Sequence, residues 1–389
     1  MKKHLVLGAL AVLSLAACTK SEVVELNKGN EISLTAVTGK NLTKAADGYC
    51  NNSLPGDFQV WASTTAEKKV YFKNETYTES SGTYKSAIAH YWPAENLDFF
   101  AAKNHNGTVT FNPTAAVPFT VEGYTVNSEV TAQTDFIYAV SKNVTKPAGG
   151  KTNLNFRHAL SQIEFKAKNE NKNIYVYIDG VKVVNVNNTG NFLIKNATTG
   201  NFDHNTTESE EDTRPDDTRG TWSSQGGAQT YTVNLGTKKA VAAGTPTVPV
   251  NLTHSDSDEY TTNSMYLLPQ SLTVWDGSGK AKDSSDAYFI VKALIYNVAD
   301  PSVPFVAGDN VVLWGDNSSG TWETREIAVQ IPTGMVWKDG LRYVYTFNFT
   351  TYGTGGTDPG TGDKVLTPIT LEVTVDDFVD AGNTDVEVK

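Results

Sequence analysis

The chain has 389 residues, with 32 basic and 43 acidic side chains for a formal net charge of −11, and only two cysteines. An acidic balance with no long basic run argues against nucleic acid as a partner. The length exceeds what one core usually organises, so two domains are expected, stabilised by burial rather than by a disulfide framework.

The chain opens on a charged stretch, Met1 to Lys3, followed by an apolar run from Leu5 to Leu15 and the small residues Ala16 and Ala17 before Cys18. This order is that of a secretory signal peptide over residues 1–17. The run is shorter than the ~20 apolar residues a membrane span needs. Leu15-Ala16-Ala17-Cys18 looks like a bacterial lipobox, in which the thiol of Cys18 takes a diacylglyceryl group and becomes the new N-terminus. That leaves Cys50 with no partner for a disulfide, and it makes residues 18–30 a lipidated tether.

After the tether nearly every apolar run has the two-residue period of a strand, and no convincing helix is found. "EISLTAV" alternates Ile32, Leu34 and Ala36 with Ser33, Thr35 and Val37. "SKNVTKPAGGKTN", Ser141 to Asn153, carries Pro147, Gly149 and Gly150 and reads as a linker, dividing the chain into an N-terminal domain over 31–150 and a C-terminal domain over 151–389. "NIYVYIDG", "SMYLL" and "YFIVKALIY" are rich in β-branched and aromatic residues. Thr206 to Gly220 is charged and apolar-free, as expected of a mobile surface loop, and the Gly-rich stretch Tyr352 to Lys364 joins two strands. In "LRYVYTFNFT" Leu341, Tyr343, Tyr345, Phe347 and Phe349 share a buried face, opposite Arg342, Val344, Thr346 and Asn348; "ITLEVTV" repeats the alternation with Ile369, Leu371, Val373 and Val375. Short strands separated by turn signals, without the helical patterns that crossovers need, predict an all-β chain built as sandwiches.

Nine phrases in order, "EISLTAV", "LTKAA", "DFQVWAS", "YWPAENLDFFAA", "QTDFIYAVS", "LNFRHALSQIEFKAK", "MYLLPQSL", "WKDGLRYVYTFNF" and "PITLEVTVDDF", resemble the fimbrillin-like lipoproteins of the Bacteroidetes, which include subunits of type V pili. The resemblance implies two tandem transthyretin-like β-sandwich domains, the second beginning near "LNFRHALSQIEF". It also implies assembly by strand exchange. A trypsin-like protease cuts after the first strand, here between Lys44 and Ala45, and a strand from a neighbouring subunit fills the vacated groove. The displaced strand would be that of Ile32, Leu34 and Ala36, and the donor would include the tail with Val386 and Val388. Family stalk subunits commonly carry Arg at the cut, whereas here the first arginine is Arg157, so a protease specific for Arg could not process this chain. The implied partners are other pilus subunits in a homo- or heteropolymer, the maturation protease, the outer membrane through the lipid anchor, and a host protein or glycan. The implied location is the outer membrane or cell surface, and the fimbrium once assembled.

No constellation for catalysis or cofactor binding is found. His158 lacks a nucleophile motif around it and reads as structural, and the six histidines show no metal-ligand spacing. The acidic clusters at Asp256, Asp258 and Glu259 and at Asp276, Asp283 and Asp286 do not match a calcium loop and read as solvated. Of the seven tryptophans, Trp61, Trp92, Trp275, Trp314 and Trp337 lie in or beside apolar runs and are expected to be buried. Trp222 and Trp322 follow Gly-Thr beside polar loops and are candidates for stacking on a sugar ring. They carry the alternative function, a monomeric glycan-binding surface lipoprotein of the outer membrane.

Overall fold

A computed structural model describes residues 31–38, 56–195, 219–242, 245–253, 264–300, 306, 308, 310–352 and 355–377. In chain order its strands are β1 (Ser33–Thr38), β2 (Phe58–Thr64), β3 (Val70–Ser80), β4 (Thr83–Ser86), β5 (Leu97–Lys103), β6 (Thr108–Phe111), β7 (Phe119–Thr125), β8 (Ile137–Val144), β9 (Lys151–His158), β10 (Ser161–Asn169), β11 (Ile174–Ile194), β12 (Gly220–Val241), β13 (Thr245–Asn251), β14 (Met265–Leu267), β15 (Tyr288–Asn297), β16 (Val312–Trp314), β17 (Arg325–Val329), β18 (Leu341–Phe349) and β19 (Ile369–Asp377). Two single 3₁₀ turns, Val130–Ala132 and Ala281–Asp283, are the only helical segments among the described residues. The chain is all-β, as its periodicity predicts.

The first sheet closes on itself as a barrel in the order β1-β4-β3-β2-β5-β8-β9. Its interior holds Phe58, Val60 and Ala62 from β2, Leu97, Phe99 and Ala101 from β5, and Ile137 and Ala139 from β8. The alternate residues Trp61, Phe100, Ala102, Tyr138 and Val140 are also buried, in a second and larger core outside the barrel. These strands therefore have no solvent face. That is why "FQVWA", "LDFFAA" and "FIYAV" place apolar residues at consecutive positions instead of strictly alternating them with polar ones.

The outer core lies between two further sheets. One has the order β13-β10-β18-β19, with β14 also on β10; the other runs β16-β15-β11-β7-β6, with β12 on β11 and β17 on β15. Their inner faces meet where the ring of Phe289 on β15 packs 5.3 Å from Phe165 on β10 and 4.7 Å from Tyr345 on β18. This is face-to-face sheet packing. The β6–β7 hairpin joins the far sheet by pairing with β11, and its Phe119 packs against Trp61 and Phe100 at 5.0 and 5.8 Å.

Two expectations meet a different arrangement. The segment read as a linker is mostly strand, since β8 extends to Val144 and β9 begins at Lys151. β9 pairs back onto β1 and β8 while β6 and β7 pair away from the barrel, so a division at 150/151 does not follow the sheets. The barrel needs β9 to seat β1, and Pro147 and the glycines serve a tight return into the same sheet. On β18, Thr346 and Asn348 lie opposite the face expected to be the buried one, yet they are themselves only 8 and 2 % exposed. β18 runs between β10 and β19, and the long side chains of Lys168 and Glu372, joined at 2.7 Å, reach across this face beside them.

Candidate functional site

β1 is where sequence pattern and topology converge. Ile32, Leu34 and Ala36 are buried and enter the barrel core with Phe58, Tyr77, Tyr84, Leu154 and Phe156. The aromatic floor is tightly made, with the Phe58 ring 4.7 Å from Tyr84 and 4.9 Å from Phe156. Alternation in "EISLTAV" thus translates into one face filling pockets, as strand addition requires.

The backbone holds β1 unequally on its two sides. Toward β9 it runs parallel, in register from Ser33↔Lys151 to Thr38↔Phe156. Toward β4 it runs antiparallel, and Leu34↔Tyr84 is the single register pair among the described residues. The entry to the strand is fastened separately. The Ile32 amide donates to the His90 carbonyl at 2.7 Å, the Ser33 amide donates to Gly150 O at 3.2 Å, and Glu31 bridges to Tyr91. Gly150 has φ +72°, and a Cβ there would stand 2.7 Å from the Glu31 carbonyl oxygen, so the close crossing of the two segments requires glycine. The Trp92 indole N–H also donates to Gly150 O, at 3.3 Å.

Charge at this end of the barrel is light. Lys85 and Glu31 pair at 2.7 Å on the surface, a contact worth ~1 kcal/mol at most. Burial pushes the Tyr77 phenol well above its ordinary value, reinforced by the nearby Glu75 and Glu31 carboxylates, so it stays neutral in the wall. The sequence points to Ile32, Leu34 and Ala36 but misses Tyr84, His90, Tyr91 and Gly150. The Gly149-Gly150 pair marks a turn in the sequence; its crossing with Glu31 is visible only in three dimensions.

Several expected site residues lie outside the described residues: Cys18, Lys44, Ala45, Val386 and Val388, and with them Asp256, Asp258 and Glu259 and most of the 206–220 loop. The two candidate stacking tryptophans differ. Trp222 is partly buried, its indole N–H donating to Ala159 O at 2.7 Å and its ring in edge contact with Tyr124, Phe192 and Phe136. The Gly-Thr before it belongs to the start of β12 and not to a loop. Trp322 is 42 % exposed, and its ring rests on Gly315, where a Cβ would stand 3.2 Å from it. Trp61, Trp92, Trp275, Trp314 and Trp337 are all buried, as expected. His158 is buried with Nδ1 2.6 Å from the Asp135 carboxylate at the end of β9. The Asp276 carboxylate accepts from the amide and hydroxyl of Ser278, a turn contact that lowers its pKa.

The fimbrillin-like family matches residues 19–377, nearly the whole length. The chain belongs to that family. Among solved structures it is similar to a fimbrial protein from Bacteroides vulgatus ATCC 8482, at 15 % identity and a TM-score of 0.52, covering 90 % of this chain and all of that one. It is also similar to the tip fimbrial protein Mfa3 from Porphyromonas gingivalis, at 10 % identity and a TM-score of 0.36, covering 89 % of this chain and 99 % of that one. Among curated proteins nothing matches. At 15 % identity the likeness to the Bacteroides vulgatus protein speaks for the fold alone, and membership rests on the family match.

Proposed function

We propose that this fimbrillin-like protein is a structural and adhesive subunit of a surface fimbria, exported as a lipoprotein on Cys18 and assembled by protease-triggered strand exchange. The observation that carries the reading is the seating of β1, whose apolar face is fully buried while its β4 side has one register pair. Cleavage between Lys44 and Ala45 by a trypsin-like protease frees β1 to leave. Before the cut, the tethered strand competes at an effective concentration that reaches millimolar, and an incoming strand cannot win. After it, the groove between β4 and β9 has unpaired backbone on both sides and is open to a neighbour's strand, with the tail of Val386 and Val388 as part of the donor.

The test compares the full chain, its Lys44→Gln variant and a chain starting at Ala45, each run unboiled on a denaturing gel with and without trypsin. Ladders from the cut full chain and from the Ala45 chain, with none from uncut Lys44→Gln, support exchange. A folded, monomeric Ala45 chain at high concentration overturns it. The exposed face of Trp322 favours a second reading, adhesion through a glycan stacked on that ring. Quenching of tryptophan emission by soluble oligosaccharides, lost in Trp322→Ala, is its measurement.

A further inference from the structure

Four segments distant in the chain enclose a small polar cleft: the turn before β6, the end of β7, the first 3₁₀ turn with its exit, and β14. Its volume is about 70 Å³. Asn106, Asn127 and Thr134 are exposed at its lip, Gln133 and Tyr266 are half-buried, and Tyr124, only 3 % exposed, lines it from the core side. Among the described residues none that lines the cleft is charged. The neighbouring Asp135 carboxylate is engaged with His158 Nδ1, 2.6 Å away. Two of the side-chain amides are anchored at both atoms. Gln133 Oε1 accepts from the Tyr266 amide at 2.8 Å, and its Nε2 donates to the Asn127 carbonyl at 2.9 Å. Asn106 Nδ2 donates to the Thr125 carbonyl at 2.6 Å, and its Oδ1 accepts from the Thr125 amide at 3.0 Å. Each amide spends one N–H and one lone pair on the backbone and keeps one of each. Their orientation is therefore set before any ligand arrives.

We propose that this cleft binds the edge of one uncharged sugar residue, with the Gln133 and Asn106 amides and the Tyr124 hydroxyl taking its hydroxyl groups. The chemistry of the lining selects that class. A charged ligand would give up water without meeting a counter-charge. A purely apolar one would strand the remaining amide N–H groups. Vicinal hydroxyls, each both donor and acceptor, match amides that offer an N–H and a lone pair side by side, and the half-buried Tyr266 adds an aromatic surface for the ring carbons. The room suits part of one ring and not a stretch of chain, so the contact is with a terminal or protruding residue. Burial, reinforced by the Asp135 carboxylate, pushes the Tyr124 phenol above its ordinary value, so it stays a neutral donor. Trp322 is not among the residues lining this site. Its use in attachment rests on the adhesive reading above; the binding itself does not, and neither depends on strand exchange.

The experiment is saturation-transfer NMR on the full chain with neutral probes, methyl α-mannoside, methyl β-galactoside and methyl β-N-acetylglucosaminide, and an anionic one, N-acetylneuraminic acid, each titrated into the millimolar range. The expected result is transfer to at least one neutral glycoside and none to the acid. Tyr124→Phe, which keeps the ring packed on Phe136 and Trp222, and Asn106→Ala, at the exposed lip, should each weaken binding on the order of fivefold. Trp322→Ala should leave it unchanged, and thermal midpoints show that the variants are folded. No transfer to any neutral probe overturns the site, the cleft then holding water only. Equal transfer to the acid, or binding undiminished in either Tyr124→Phe or Asn106→Ala, overturns it as well. If Trp322→Ala abolishes transfer, the sugar sits on that ring, which upholds the second reading above and sinks this one. No oligomer is measured, so the ladder experiment succeeds or fails independently of this result.

Discussion

Leu34 lies opposite Tyr84 at the one register pair joining β1 to β4 among the described residues, while on its other side β1 matches β9 residue for residue. The β4 side of the seam is therefore held chiefly by side-chain burial. Leu34 has no exposed surface, so Leu34→Ala is expected to destabilise the barrel by about 2–5 kcal/mol. Thr35→Ala, which loses one exposed contact to Asn153, should stay within about 0.5 kcal/mol. Urea unfolding of the two variants checks the contrast, and equal effects would mean that β1 is held by its backbone alone.

Gly150→Ala isolates the crossing at Glu31. Gly149 and Gly150 both have positive φ, but a Cβ at 149 meets open space, whereas one at 150 stands 2.7 Å from a backbone oxygen. Gly149→Ala should cost about 1 kcal/mol, from backbone conformation alone. Gly150→Ala should add a loss of protection at Ser33, whose amide bonds to Gly150 O. Exchange at Ser33 in the two variants is the measurement.

The acid side of the stability profile should carry a contribution from Asp98. Burial in β5 opposes its charge, but the Asn143 amide, the Lys68 ammonium and the Thr65 hydroxyl bind the carboxylate and hold its pKa below the usual value. A depressed folded value stabilises the fold above the unfolded pKa, and the contribution is lost as the pH falls from about 4 through the folded value. Asp98→Asn is expected to lower stability at pH 7 by on the order of 1–3 kcal/mol and to flatten the profile below pH 4. Unfolding midpoints from pH 2 to 7 test both parts.

On β18, Tyr345→Asp places a carboxylate among Phe165 and Phe289 and strips the Trp337 indole N–H of its acceptor, which should unfold the chain. Thr346→Asp is also damaging, because the site is closed and its register partners are Lys166 on one side and Glu372 on the other. The expected loss is about 1–3 kcal/mol, smaller because one neighbour is a cation. Thermal unfolding ranks the two, and a neutral Thr346→Asp would show this face to be open.

Much of the fold is legible in the sequence because period two is a local signal. Leu341 to Phe349 and Ile369 to Val375 alternate in the chain and pair as neighbours in the sheet. What escapes is set by elements distant in the chain. Thr346 is polar, and nothing near it in sequence says that Lys168 and Glu372 close over that side. "RGTWSS" has the composition of a loop, but its tryptophan enters a core assembled from Tyr124, Phe136 and Phe192. The buried face of β1 is likewise legible from Ile32, Leu34 and Ala36. The asymmetry of its seating is not, since that depends on where β4 and β9 arrive.

Trp222 and Trp322 follow the same dipeptide and should respond oppositely to truncation. The Trp222 indole packs against three aromatic rings and donates a hydrogen bond to Ala159, so Trp222→Ala opens a cavity and orphans a carbonyl near the start of β10. Because the ring is partly buried, the expected loss is about 3 kcal/mol, the low end of the range for a large aromatic truncated in a core. Trp322 rests against Gly315 and is substantially exposed, so Trp322→Ala removes modest packing and should change stability by about 1 kcal/mol or less. Urea midpoints give the stability contrast, and near-ultraviolet circular dichroism reports whether the aromatic core has come apart. If Trp322→Ala proves as damaging as Trp222→Ala, its ring is part of the fold and is not free to take a ligand, and the glycan reading loses its platform.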